Sequence, residues 1–142
     1  MEKIAGSEYT EMGWEVCAPA LRRMLVKINN EYRLPPIYIT ENDAAFEDKI
    51  GADGKIHDPR RIEYLKNHFI QTRLAMQDGV DVRGYMVWSL MDNFEWGHVL
   101  SKRFGLTYID YAMLCCKDVI ASRCKRRSNP RADIHSVTRN CP

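Results

Sequence analysis

Pro35-Pro36-Ile37-Tyr38-Ile39-Thr40-Glu41-Asn42 is the stretch on which the fold turns. The two prolines stop any helix that reaches them, and the four residues that follow are β-branched or aromatic, the composition of a short buried strand. Upstream, Leu21, Met24, Leu25, Ile28 and Tyr32 recur at helical offsets, which predicts an amphipathic helix from Ala18 to Arg33. Downstream, Gly51, Asp53 and Gly54 mark a loop. Asp58 then stands as an N-cap with Pro59 in the first helical position. Ile62, Leu65, Phe69, Thr72 and Met76 form the apolar face of this second helix, and Gly79 occupies the place of a left-handed C-terminal residue. Val82 to Leu90, rich in Val, Tyr and Trp, follows as a second strand. A strand–helix–strand unit of this length makes a parallel pair, so the expected class is α/β. A parallel sheet is covered on both faces or closed into a barrel, and two strands with two helices supply neither. The visible elements are therefore expected to be a piece of something larger, and no internal repeat supplies the missing cover.

The chain has 142 residues, 45% hydrophobic and 28% charged, which excludes a disordered or collagen-like protein as its main character. Apolar runs such as Tyr85 to Trp88 are far too short for a membrane span, and Met1-Glu2-Lys3 opens no signal region. The net charge of +2 hides a division. Met1 to Ala112 carries 14 basic and 17 acidic side chains (−3), whereas Met113 to Pro142 carries 7 basic and 2 acidic (+5). Four of the five cysteines, Cys115, Cys116, Cys124 and Cys141, lie in that last stretch. An odd total argues against a disulfide framework and for a reducing compartment, and the expected location is the cytoplasm. Residues 1–112 are thus read as one unit. Residues 113–142 are read as an unrelated basic tail, disordered or translated from a shifted or misjoined frame. The tail's cysteines and His135 lack the paired spacing of a zinc site, so no metal is expected. Lys125-Arg126-Arg127 has no aromatic residue after Tyr111 to stack on bases, so no nucleic-acid partner is expected either. No membrane partner is expected.

In parallel α/β folds reactive groups gather at the carboxyl ends of strands. Here those ends read Thr40-Glu41-Asn42-Asp43 and Trp88-Ser89-Leu90-Met91-Asp92-Asn93-Phe94-Glu95-Trp96. Carboxylates can serve as nucleophile or acid, and indole faces stack on sugar rings, so the combination suggests a carbohydrate ligand. The pattern alone leaves Glu41 open between a reactive group and a solvated carboxylate. It equally leaves Trp88 and Trp96 open between ligand platforms and packing.

Pro36 to Asn42 resembles the nucleophile motif of the family 1 glycoside hydrolases, the β-glucosidase and β-galactosidase family. Four further segments follow the family's order: Thr10 to Val16, Asp58 to Leu65 with Asp78-Gly79-Val80, Gly84 to Trp96, and Arg103 to Tyr111. Such agreement over roughly Tyr9 to Ala112 is far more specific than a single motif. The resemblance implies a (β/α)8 TIM barrel of which this chain holds the region from about the seventh to the eighth strand. It implies a retaining β-glycosidase in which Glu41 is the catalytic nucleophile. Trp88 would be the platform under the sugar, Glu95 and Trp96 contacts to its hydroxyls, and Phe104 a wall of the pocket. The substrate would be a β-glucoside or β-galactoside, unphosphorylated on the strength of Glu95, and no cofactor is implied.

Three departures accompany the likeness. Asp43 stands where the family usually has glycine, in a turn that asks for left-handed tolerance. Gly97-His98-Val99-Leu100-Ser101 replaces the usual Gly-aromatic pair, so that loop is expected to be reshaped, with His98 toward solvent. The likeness also stops after Ala112. The family's second carboxylate, the acid/base glutamate of the fourth strand, has no counterpart here, so the chain alone is expected to be inactive unless a barrel-completing chain supplies it. The alternative is a fragment that binds carbohydrate or another protein without catalysis.

Overall fold

The computed structural model describes residues 3–111, and the expectation for residues 113–142 lies outside the described residues. Helix α1 spans Ala18–Glu31, strand β1 Ile37–Ile39, helix α2 Pro59–Gln77 and strand β2 Val82–Tyr85. The strands are parallel, with Ile37 beside Val82, Tyr38 beside Gly84 and Ile39 beside Tyr85, and the register shifts between Ile37 and Tyr38. Gly84 has a steric reason. A Cβ there would run into the Tyr38 ring, which lies across it on the exposed side of the sheet.

The apolar centre is Leu25, Ala75, Val80 and Val82, with Leu21, Val26, Ile28, Ile37 and Ile39 packed around them. Both helices thus lie against the strand pair and each other, and Arg22 Nε donates to Asp78 Oδ2 (2.7 Å) across their outer edge. The helix ends follow the sequence. The Asp58 side chain accepts from Arg61 N (3.3 Å), Pro59 follows it, and Gly79 takes φ +97°. Val80 N donates to Ala75 O (3.1 Å), which closes the helix C-terminus and turns the chain into β2.

Three boundaries and faces differ from expectation. Helix α1 stops at Glu31, because Tyr32 is already extended ahead of the prolines. Strand β2 stops at Tyr85. Met86 N still donates to Ile39 O (2.8 Å), but β1 is only three residues long and offers no further rung. On α2 the buried residues are Arg61, His68, Thr72 and Ala75, whereas Ile62 is 63% exposed and Phe69 and Met76 are exposed as well. Ala75 meets the core beside Leu25, and the buried Thr72 bonds back to His68 O (2.9 Å). Periodicity finds an apolar stripe without saying which stripe meets the sheet. No helix among the described residues is long and apolar enough to cross a membrane.

Beyond β2 the chain folds on itself without regular structure. Ser89 N donates to Phe104 O (3.2 Å), Leu106 N to Ser89 O (2.8 Å) and Thr107 N to Leu90 O (2.9 Å), so residues 103–107 run beside the extension of β2. Gly105 sits where a Cβ would collide with the backbone of Met91 and Thr107. The N-terminal segment joins the same end of the sheet through Glu11 N, which donates to Ala45 O (2.9 Å).

Candidate active site

The carboxyl ends of β1 and β2 open into a cleft of about 560 Å³. Glu41, Trp88, Glu95, Trp96 and Phe104 all line it, so the structure brings together every residue singled out from the sequence. Glu41 follows β1 by two residues and is exposed to the cleft. Its neighbour Asn42 fixes the turn, because Asn42 Oδ1 accepts from Tyr85 Oη (2.6 Å) at the end of β2, and Asn42 O accepts from Trp88 N (3.3 Å). Two rigid strands therefore set the height of Glu41 relative to the Trp88 ring, which is 41% exposed.

Glu95 and Trp96 belong to a tight turn in which Glu95 pairs with Val99, Glu95 N donating to Val99 O (2.6 Å). Val99 has a positive φ of 57°, and Asn93 Nδ2 donates to Glu95 Oε2 (3.3 Å). Trp96 is 92% exposed at the rim, whereas Phe104, 4% exposed, closes the floor with its ring 6.4 Å from that of Trp14. His98 is exposed and does not line the cleft, in keeping with a solvent-facing position. The segment carrying Phe104 hangs on the buried Asp92, which accepts from Arg103 Nη1 (2.5 Å), Ile109 N (3.0 Å) and Gly105 N (3.0 Å).

Sequence reasoning passed over several members of the site. Trp14, Asn42, Asp43, Asn93 and Phe94 also line the cleft. Trp14 stands in the Thr10 to Val16 segment and the others adjoin Glu41 or Glu95, so position alone marked them. Arg61 carried less signal, since Asp58-Pro59-Arg60-Arg61 reads as a helix start within a family-like segment and gives no side chain there a role in the site. Arg61 Nη1 donates to Asp43 Oδ2 (2.8 Å) and Ala44 O (2.7 Å), Nε to Asp58 Oδ2, and Nη2 to Asp48 Oδ1 (3.4 Å) and Arg103 O (3.1 Å). One guanidinium thus ties the turn after Glu41 to the start of α2 and to the strand-like segment before Phe104.

Asp43 corrects an expectation. Apart from glycine, only Asp58 and Val99 have positive φ among the described residues, so Asp43 does not use left-handed backbone. Its side chain instead turns inward to Arg61, and neither is open to solvent, at 0% and 4% exposure. Burial pushes the Asp43 carboxyl up to about 6, with Arg61 pulling only partly the other way. Burial also raises Asp48. For Arg61, burial pulls down and the carboxylates, Asp43 foremost, more than reverse it. Nearby, burial raises Tyr64 and Tyr85 and lowers His68, whose ring stacks on Tyr64 at 4.0 Å. Among the described residues no three His, Cys, Asp or Glu side chains come together as metal ligands. An exposed carboxylate in a cleft walled by Trp14, Trp88, Trp96 and Phe104 suits a ligand with apolar faces and many hydroxyls.

The sequence model of glycosyl hydrolase family 1 matches residues 2–130, past the change of composition at Ala112. β-Glucosidase A of Thermotoga maritima is 52% identical over 103 residues, which are 72% of this chain and 23% of that protein. A bifunctional β-D-glucosidase/β-D-fucosidase of Bifidobacterium breve is 50% identical over 107 residues, 72% of this chain and 23% of that one. The solved structure of the Thermotoga maritima β-glucosidase in complex with deoxynojirimycin superposes with a TM-score of 0.75 at 48% identity, over 80% of this chain and 26% of that chain. The chain spans about a quarter of the length of the relatives it matches.

Proposed function

The chain belongs to glycosyl hydrolase family 1, and on that premise we propose that it is the nucleophile-bearing part of a retaining β-glycosidase that acts on unphosphorylated β-glucosides or β-galactosides. In this reading β1 and β2 are the seventh and eighth strands of a (β/α)8 barrel. The observation that carries it is the convergence of Glu41, Trp88, Glu95, Trp96 and Phe104 on one cleft at the carboxyl ends of two parallel strands.

Glu41, open to the cleft, attacks the anomeric carbon from one face of the sugar and expels the leaving oxygen, forming a glycosyl ester. Trp88 supplies a flat apolar surface under the ring, Glu95 and Trp96 take the outer hydroxyls, and Phe104 excludes water from the floor. The leaving oxygen must gain a proton, and in the second step water must lose one, work that falls to a carboxyl group about 5 to 5.5 Å from the nucleophile. The other carboxylates of the cleft are otherwise engaged: Asp43 is locked on Arg61, and Glu95 is held by Asn93. The acid/base group therefore lies outside these 142 residues, which by themselves do not turn over.

The test is hydrolysis of a nitrophenyl β-glucoside by purified chain beside its Glu41→Gln variant. Equal rates are expected, and a clear excess for the unaltered chain would overturn the division of labour. Saturable glucose binding without any turnover, even after the rest of a barrel is supplied, would favour a purely carbohydrate-binding role.

A further inference from the structure

Arg61 faces more negative charge than it can neutralise. Asp43, Asp48 and Asp58 all converge on its guanidinium, and the first two have side chains at most 3% exposed. Asp43 is the least satisfied of them: Oδ2 accepts from Arg61, but Oδ1 is buried without a hydrogen-bond partner. A buried carboxylate oxygen in that position is costly, and the cost falls when the group becomes neutral. Asp43 is also two residues from Glu41. Its backbone oxygen accepts from Tyr64 Oη (3.2 Å), so the turn Glu41-Asn42-Asp43 is anchored to α2 through Asp43 and to β2 through Asn42.

We propose that Asp43 is a positioning residue for Glu41: ionised, it clamps the nucleophile turn onto Arg61, and on taking up a proton it releases Arg61 to Asp48 and Asp58 and loosens that turn. A guanidinium binds a carboxylate more strongly than a neutral carboxyl oxygen, because the acceptor then carries the opposite charge, so the two states hold the turn differently. Burial sets the changeover at about 6, within the range where cells and assays operate. The groups facing Asp43 are Arg61 and Tyr64 of α2, Asp58 at its cap, Asp48 on its own loop and Tyr85 of β2. Of the groups around it, only His68, stacked on Tyr64, has an ordinary midpoint near the same pH, and burial pulls it lower.

The role assigned to Asp43 rests on Glu41 being the reactive carboxylate, but its titration does not, and the test uses no turnover. The full chain, labelled with ¹³C at aspartate carboxyl carbons and with ¹⁵N, is titrated from pH 4 to 8. The Asp43 carboxyl is expected to change near pH 6, and the amides of Glu41, Asn42 and Ala44 are expected to move with the same midpoint. Glu41→Gln and His68→Gln should keep that step, and Asp43→Asn should abolish it. An Asp43 midpoint in the ordinary range near 4 would overturn the proposal, as would amides that still step in Asp43→Asn. If that variant does not fold, the carboxyl and amide midpoints of the unaltered chain decide alone, and unequal midpoints count against it.

Discussion

Replacing Asp43 by asparagine is expected to stabilise the chain above neutral pH, against the usual outcome of cutting a buried ion pair. Removing one partner of such a pair ordinarily costs about 3–5 kcal/mol, because the other charge is left alone. Here Arg61 keeps Asp48 and Asp58, and asparagine retains an oxygen that can accept from Nη1. The Asp43 carboxyl rises from 3.8 to about 6 on folding, which corresponds to roughly 3 kcal/mol between its two charge states. A folded-state value above the unfolded one means that this contribution is fully present below about pH 4 and is lost as the pH climbs through 6. Asp43→Asn should thus gain on the order of 3 kcal/mol at pH 8, roughly 13 °C in Tm for a unit of this size, and nothing at pH 4. Thermal melts followed by circular dichroism at the two pH values decide the matter. A variant several degrees less stable than the parent at pH 8 would refute the claim that Arg61 is oversupplied with carboxylates.

Arg61→Met removes the cation from three carboxylates and should cost about 3–5 kcal/mol, read as loss of cooperative melting or of soluble yield. Gly84→Ala places a methyl group against the Tyr38 ring and should cost about 1–2 kcal/mol, most of it recovered in the Tyr38→Ala background of a double-mutant cycle. Trp96→Ala should leave the Tm within about a degree, since the ring is 92% exposed, yet it should weaken sugar affinity in any barrel-completed complex.

Where a signal is local, the sequence carries it. The apolar spacing of Leu21, Leu25 and Ile28, the prolines before Ile37, the Asp58-Pro59 cap and Gly79 each act within a turn or two, and all four elements form where these residues put them. The burial of α2 is not local. It depends on which neighbour lies on which side, so Ile62 and Phe69 pointed to a face that this chain leaves open. The site divides in the same way. Glu41, Trp88 and Glu95 stand at strand ends that periodicity locates, whereas the cleft's floor and bracing come from pairs far apart in sequence: Arg61 with Arg103 O, Tyr85 with Asn42, Trp14 with Phe104. Asp43 shows the limit most plainly. Its residue type suggested an unusual backbone, and its part in the structure is set by a guanidinium eighteen positions away.

The central claim is that this chain holds the nucleophile of a site whose proton-transferring carboxyl lies elsewhere. It is tested most directly by combining the chain with the complementary part of the Thermotoga maritima β-glucosidase A and following release of nitrophenol from a nitrophenyl β-glucoside. Turnover should arise only in the mixture and should vanish when Glu41→Gln replaces the parent chain. Turnover by the chain alone, or a Glu41→Gln mixture as active as the parent mixture, would contradict it.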